Sequence, residues 1–238
     1  MSEPIRLSKR IIELTQCSRS QAEQYIEGGW VKVDGQVIEK PHFLVSHETI
    51  EIDPDAHLGP VEPATILLHR PALGPDEPAA TDPVLMAEGR SADDRTGIRL
   101  VQRHLRHLTP VVLLEPAASG LVVLTQNDSL VQAMHRDGER LEQEFLVEVT
   151  GEPGPDALRQ LAQSLHLDGQ NTPRVKVSWQ SEQRLRFALK DVRPGELARA
   201  CAAVDLTVVA LRRVRLGRVP LSRLAPGQWR YLDRRERL

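Results

Sequence analysis

The stretch that most restricts what this chain can fold into is Ser18–Ile38, "SRSQAEQYIEGGWVKVDGQVI". Ser18 is a good helix N-cap, and Gln21 three positions later can close a capping box by reaching back to the cap amide. Ala22, Tyr25 and Ile26 make an apolar stripe at helical spacing. Gly28-Gly29 can take the left-handed conformation that ends a helix. "WVKVDGQVI" then predicts a short strand, an Asp34-Gly35 type I′ turn and a returning strand. Upstream, Leu7, Ile11, Ile12 and Leu14 also recur near helical spacing, with Ser8 as the available cap. Helix, helix and hairpin together predict a small domain over residues 1–53.

After it the composition changes. "DPDAHLGPVEPA" is rich in proline, acid and small residues, and reads as a linker at 54–64. "TILLH" is a strand, followed by a second such stretch, "PALGPDEPAATDPV", which makes an acidic loop at about 74–95 inside the next domain. Residues 95–108 look helical. "PVVLLE" and "GLVVLTQ" read as strands, "SLVQAMHR" as a helix, "EFLVEV" as a strand and "PDALRQLAQSL" as a helix. The last third alternates similarly, with strands "RVKVSW" and "RLRFAL", a helix "GELARACAAV", and strands around "TVVALRRVRLG" and "QWRYL". Strands and helices mixed without a regular βαβ rhythm predict an α+β domain at 65–238. Its sheet should be mixed, mostly antiparallel and flanked by helices.

Composition narrows the setting. No run of eighteen apolar residues is present, and the start lacks an apolar signal segment, so a soluble cytoplasmic protein is expected. Cys17 and Cys201 lie far apart and form no CxxC pair, which argues against a disulfide framework or a zinc site. The net charge of −2 hides an uneven distribution: nine arginines fall between Arg212 and Arg237, opposed by Asp233 and Glu236. A basic face is compatible with a near-neutral total.

Arg6, Lys9, Arg10 and Arg19, with Ser18 and Ser20, gather on or beside the two N-terminal helices, and Lys32 lies on the hairpin. Cations and hydroxyls at helix starts suit phosphate contacts, which confer affinity without sequence preference. The order of residues adds to this. Residues 5–38 resemble, without a gap, the S4 RNA-binding domain, an αL-type fold. Its pattern runs R-L-x-K-x-I and then S-R-x-x-A-x-x-x-I-x-x-G-x-V-x-V-N-G, with Asp34 here in place of the usual turn asparagine.

A second resemblance covers most of the remainder. "SGLVVLTQND", with an acid four residues upstream, is similar to the G-R-L-D-x-x-T-S-G-L-L-L-L-T-N-D segment of the S4-containing rRNA pseudouridine synthases, the RsuA/RluF family. Ser119, Gly120, Leu121, Leu124 and Thr125 match it. "LLHRPAL" resembles that family's L-N-K-P-x-G strand, and "EQEFLVEV" its K-x-Y-x-V-x-V strand. The segment from Ala200 to Leu232 resembles its C-terminal pattern, with Cys201, Val208, Leu211, Arg213, Arg215, Trp229 and Arg230 in place. The resemblance implies an S4 domain joined to a pseudouridine synthase fold, a structured RNA partner (rRNA in this family), and isomerisation of a uridine without a cofactor.

The resemblance also places Glu115 at the position of the catalytic aspartate, which attacks the target uridine. Its base is then detached, turned and rejoined through carbon. The family arginine two residues earlier is Leu113 here, and the family tyrosine is Phe145. Leu73 replaces a glycine, and "PGELAR" keeps only Arg199 of N-R-Q-I-R-R. A glutamate carboxylate sits about 1–1.5 Å further out than an aspartate's, and a misplacement of about 1 Å can cost on the order of 100-fold. Phe145 offers a stacking face but no proton.

These changes converge on the reaction, so the sequence reading is an RNA-binding member of the family whose catalysis is impaired or lost. An active synthase would use Glu115 as nucleophile with a rewired partner such as Arg199 or Arg213. A non-catalytic ribosome-assembly factor is the third reading. Arg199, Arg213 and Arg215 join the N-terminal cations as candidate RNA contacts. Other chemistry finds little support. Ser119-Gly120 lies in no G-x-S-x-G elbow. His104 and His107 have no partner cluster at metal-ligand spacing and are expected to face solvent or RNA. No Gly-rich phosphate loop occurs, so no nucleotide cofactor or metal is expected. Trp179 and Trp229 read as core residues rather than base-stacking platforms.

Overall fold

The computed structural model describes residues 3–74, 85–165 and 175–238, which fall into two compact units. The first holds residues up to 63 together with Gly97–Arg106, and the second holds Ala64–Thr96 and His107–Leu238. Part of the acidic loop expected at 74–95 lies outside the described residues.

The first unit begins with β1 (Ile5–Arg6), α1 (Leu7–Thr15) and α2 (Arg19–Glu27). β2 (Val31–Val33), β3 (Gln36–Val37), β4 (Leu44–Val45) and β5 (Ile50–Ile52) follow. The capping box forms as the sequence requires: Gln21 N–H donates to Ser18 Oγ at 3.2 Å, and Ser18 N–H donates to Gln21 Oε1 at 2.8 Å. Asp34 and Gly35 take φ of 48° and 79°, the left-handed pair that closes a tight hairpin between β2 and β3. β2 also pairs with β5, and β1 with β4, all antiparallel. Leu7, Ile11, Ala22, Ile26, Val31, Val33 and Val45 form the core.

Two local expectations fail here. Arg6, not Ser8, occupies the α1 cap position, and Ser8 is buried inside the helix. Leu14 is exposed although seven residues are close to two helical turns and place it on the face of Leu7; it lies in the last turn of α1, next to the left-handed Gln16 that ends the helix.

Residues 97–106 join this unit through side-chain contacts rather than through regular structure. Arg99 donates to Asp53 at 2.9 Å and to the Gly29 carbonyl at 2.7 Å, and its guanidinium lies 4.3 Å above the Trp30 ring. The Gln102 amide donates to Glu39 at 2.7 Å. The helix expected over 95–108 is therefore reduced to a single 3₁₀ turn at Gln102–Leu105.

The second unit is built on a mixed sheet. Its elements are β6 (Thr65–Arg70), β7 (Thr109–Pro110), β8 (Ser119–Thr125), α3 (Asp128–Asp137), β9 (Gln143–Gly151), α4 (Ala157–Ser164), β10 (Lys176–Ser181), β11 (Arg184–Leu189), α5 (Glu196–Ala202), β12 (Leu206–Leu216), β13 (Val219–Pro220) and β14 (Trp229–Tyr231). The strand order is β10-β11-β9-β12-β8-β6-β14, with β7 on β8 and β13 on β12. β8 and β12 run parallel, and the other named strand pairs are antiparallel. This is the expected α+β architecture.

β8 reads as an unbroken apolar run because both of its faces are covered. Leu121 and Val123 point into a core with Leu67, Val111, Leu216, Val219, Leu221 and Leu224. Val122 and Leu124 face the opposite side and line a cavity. Gly120 is required where β8 meets β12: at φ 110°, a Cβ there would stand 2.2 Å from the Arg213 carbonyl oxygen. The strand expected over "PVVLLE" stops after Pro110. The carbonyls beyond it go to two arginines instead of a neighbouring strand.

Candidate functional site

Those two arginines come from β6 and β12, and they share the segment between Val112 and Ala118. Arg213 is fully buried. It donates to the Leu121 carbonyl at 2.7 Å, the Leu113 carbonyl at 3.0 Å, the Val112 carbonyl at 3.1 Å and Gln143 Oε1 at 3.0 Å. Arg70, on the edge of β6, donates to the carbonyls of Leu114 at 3.0 Å, Ala118 at 2.7 Å and Pro116 at 3.4 Å, and also to that of Glu115. Burial pushes both guanidiniums toward the neutral form. The positive charge of Arg70 adds to that pressure on Arg213, while the Glu115 carboxylate opposes it on Arg70. The carbonyl dipoles of one loop thus take the place of water around two cations.

The loop and the sheet enclose a cavity of about 720 Å³, within the usual size range of small-molecule sites, about 300–1,000 Å³. Val122 and Leu124 of β8, Gln143 and Phe145 of β9, and the loop residues Val112–Pro116 form its walls, with Arg70 at one side and Val192–Pro194 at another. The lining is mostly apolar, and among the described residues Glu115 is its one acid. β9 alternates buried and half-buried residues, which puts Gln143 and Phe145 on the same inward face. Phe145 is 3% exposed and presents its ring to the cavity. Leu113 also lines it but is 80% exposed, so no packing requirement explains an apolar residue there.

The Glu115 carboxylate reaches across to the 192–196 segment, where Oε2 accepts the Gly195 N–H at 2.6 Å. That segment is a tight turn: the Glu196 N–H donates to the Arg193 carbonyl at 3.1 Å, and Gly195 has φ 73°, ψ −2°. Proline at the second position and a left-handed glycine at the third make this a type II turn. The Glu196 carboxylate closes it by accepting the Arg193 N–H at 2.9 Å.

The sequence-predicted residues divide clearly. Glu115, Leu113 and Phe145 are brought together around the cavity. Arg199 is exposed on α5, one turn from Gly195. Arg213 is not the surface cation expected: it is fully buried, and each of its three nitrogens donates inside the protein. Arg215 pairs with Glu142 at 2.6 Å and Glu144 at 3.0 Å. Arg230 pairs with Glu236, so the arginine-rich C-terminal stretch is less of a basic face than its composition suggests.

In the first unit Arg6, Lys9, Ser18, Arg19, Ser20 and Lys32 are all exposed. Arg10 is held by Glu13 and the Ser46 carbonyl, and Arg19 by Glu23. His104 is buried rather than solvent-facing, while His107 is exposed. Trp229 is buried edge-on against Tyr231 and donates to the Met86 carbonyl.

Sequence reasoning passed over Arg70, Gln143, Arg193 and Gly195. Arg70 was detectable as the basic residue before Pro71, where the family pattern has lysine. "RPGE" at 193–196 carries the Pro-Gly pair of a type II turn. Among the described residues no three His, Cys, Asp or Glu side chains gather at metal-binding distance, and no helix is long and apolar enough to cross a membrane.

Comparison with known proteins agrees with the fold in both units. Residues 5–50 match the S4 domain family. An RNA pseudouridine synthase of Aquifex aeolicus is 28% identical over 240 residues, covering 98% of this chain and 92% of its own. The dual-specificity RNA pseudouridine synthase RluF of Escherichia coli K12 is 26% identical over 228 residues, covering 96% of this chain and 75% of its own. A crystal structure of a pseudouridylate synthase aligns with a TM-score of 0.54 at 22% identity over 96% of each chain, which establishes a shared fold. The chain matches the S4 domain family near its N-terminus and, over nearly its whole length, is similar to RNA pseudouridine synthases.

Proposed function

We propose that this chain binds structured rRNA and holds a uridine, turned out of its stack, in the cavity beside Glu115, where it isomerises that uridine slowly. The single observation behind this reading is that, among the described residues, Glu115 is the one acid lining a cavity large enough for a nucleoside. The names of the relatives supply the substrate class. An rRNA substrate implies a cytoplasmic site of action.

Uridine and its product differ in one linkage. The bond from the ribose C1′ to N1 breaks, the base turns, C5 bonds to C1′, and the proton lost from C5 is balanced by one taken up at N1. A positioned carboxylate can take part in that exchange without a cofactor. Flipping costs a few kcal/mol of lost stacking, which an aromatic wall partly returns. Phe145 provides such a wall but cannot exchange a proton, and among the described residues the Glu115 carboxylate accepts from the Gly195 main chain rather than from a basic side chain. Slow turnover follows from those two features rather than from loss of the cavity.

The test is incubation of purified protein, in excess, with rRNA transcripts and with rRNA from cells lacking the protein, followed by pseudouridine mapping. The expected result is a discrete site that forms slowly and is absent with Glu115→Ala. Tight, salt-dependent RNA binding with no modified site after long incubation would reduce the function to binding alone. Failure to bind RNA would overturn the reading entirely.

A further inference from the structure

We infer that the main-chain N–H of Gly195 is the group that positions Glu115, and that the longer acid is there because only it reaches this donor. The inference deepens the proposed function and rests on it for its kinetic consequences.

A carboxylate at the edge of an apolar cavity needs a hydrogen-bond donor. The usual source in this family pattern is lost at Leu113, whose side chain offers none. Arg70 does not donate to it: its Nη atoms go to the carbonyls of Leu114, Glu115, Pro116 and Ala118, and its buried Nε meets no acceptor among the described residues. Arg213 is likewise engaged with Val112, Leu113, Leu121 and Gln143. Among the described residues the donor to this carboxylate is the Gly195 amide, at 2.6 Å from Oε2.

The type II turn explains why that amide is available. Such a turn uses the carbonyl of its first residue and the amide of its fourth, here Arg193 and Glu196. The amide of the third residue is left unpaired and points away from the chain reversal. A type I turn at the same place would rotate the central peptide by about half a turn and aim this N–H elsewhere. Type II geometry needs a positive φ at the third position, which glycine adopts freely. Gly195 has φ 73°, and Pro194 before it fixes the second position. Glutamate at 115 and Pro-Gly at 194–195 therefore form one device. Aspartate, one methylene shorter, would leave the carboxylate about 1–1.5 Å short of the amide.

This reverses the simple expectation that restoring the family's aspartate restores activity. Glu115→Asp alone should lower the single-turnover rate by tenfold or more. Leu113→Arg added to Glu115→Asp should recover it, because the shorter acid then regains a donor. Gly195→Ala, which disfavours the left-handed turn, should slow the wild-type enzyme comparably while leaving RNA affinity within about twofold. It should have no further effect in the Glu115→Asp background. A turn that mattered only for folding would give multiplying losses instead.

A second measurement is independent of turnover. In protein labelled with ¹⁵N-glycine, the Gly195 amide proton should resonate downfield and move upfield by several tenths of a ppm in Glu115→Ala and Glu115→Asp. If that resonance is indifferent to both substitutions, the positioning role is wrong whether or not the protein modifies RNA. If the resonance moves but the protein shows no turnover, the contact stands and the synthase reading fails. An Asp variant that is faster than wild type would overturn the inference on its own.

Discussion

Arg70 and Arg213 divide the carbonyls of one short loop between them: Arg213 takes Val112 and Leu113, and Arg70 takes Leu114, Glu115, Pro116 and Ala118. The positive charge of Arg70 adds to the burial that pushes Arg213 toward its neutral form, yet among the described residues no carboxylate accepts a hydrogen bond from either. What offsets the repulsion is the set of carbonyl dipoles that a loop without a strand neighbour must satisfy somehow. The loop carrying Glu115 is thus fixed to the sheet by side chains, which holds it rigid without covering the cavity.

The first prediction follows for stability. Arg213→Met matches the side chain in length but leaves the buried Leu121 carbonyl and the part-buried carbonyls of Val112 and Leu113 without this donor. Each buried unsatisfied group costs about 1–3 kcal/mol, partly recovered by relaxation, so a loss of about 2–4 kcal/mol is expected in denaturant unfolding. Arg213→Lys should recover only part of it, because an ammonium cannot span the same spread of acceptors. A loss below about 1 kcal/mol for the Met variant would show that the loop is held by something else.

Two glycines with the same kind of backbone should respond differently to alanine. Gly35, at φ 79°, has open space where a Cβ would go, so Gly35→Ala pays the left-handed conformation alone, about 1 kcal/mol. Gly120, at φ 110°, would put a Cβ 2.2 Å from the Arg213 carbonyl oxygen and 2.7 Å from its nitrogen. Both are backbone atoms and cannot swing aside, so β8 and β12 must separate. Gly120→Ala should cost at least about 3 kcal/mol or prevent accumulation of folded protein. Comparable melting temperatures for the two variants would contradict the close approach of these strands.

Acid should loosen the second unit partly through Asp94. Burial alone would raise its pKa, but hydrogen bonds from the Thr96 hydroxyl and amide, from Arg90 and from the Tyr231 amide outweigh it and hold the carboxyl below its ordinary value. A carboxylate whose folded pKa lies below its unfolded one contributes stability that is complete above the unfolded value, about 3.9, and is lost as pH falls through the folded value. Asp94→Asn should therefore lower stability at pH 7 and flatten its dependence on pH below about 4. Unchanged acid dependence in Asp94→Asn would assign the acid sensitivity to other carboxylates, such as Glu144.

Local signals made the first unit easy to read: Ser18 with Gln21 and Asp34-Gly35 each fix a turn of backbone by their own chemistry. Within the second unit β6, β8, β9 and β12 were also legible, because their apolar patterns match the faces they bury. What periodicity could not show was the fate of "PVVLLE". Its apolar residues look like a strand, but its carbonyls are claimed by Arg70 and Arg213, which lie 42 and 101 residues from Val112 in sequence. The same limit hid the burial of Arg213, since arginine is seldom fully buried and composition counts it as surface charge. Leu113, Glu115 and Phe145 were brought together as the resemblance implied, whereas the partner of Glu115 was a backbone amide, which no residue-by-residue comparison of side chains reveals.

RNA affinity should depend more on the exposed cations of the first unit that carry no ion pair than on those that do. Among the described residues Arg6, Lys9 and Lys32 are exposed, with none of the ion pairs that engage Arg10 with Glu13 and Arg19 with Glu23. An exposed helix pair is weak, about 0.3–0.5 kcal/mol, but Arg19 must give up Glu23 or bring its negative charge toward the phosphate. Each phosphate contact contributes roughly one unit to the slope of log affinity against log salt. Lys9→Ala with Lys32→Ala should therefore reduce that slope by about two and weaken binding on every structured RNA tested. Arg19→Ala should change it by less than one. A slope that is unaltered by the double substitution, measured by titration between 50 and 200 mM salt, would mean that RNA is held through the second unit, with Arg193 at the cavity and Arg199 on the exposed face of α5 as the next residues to change.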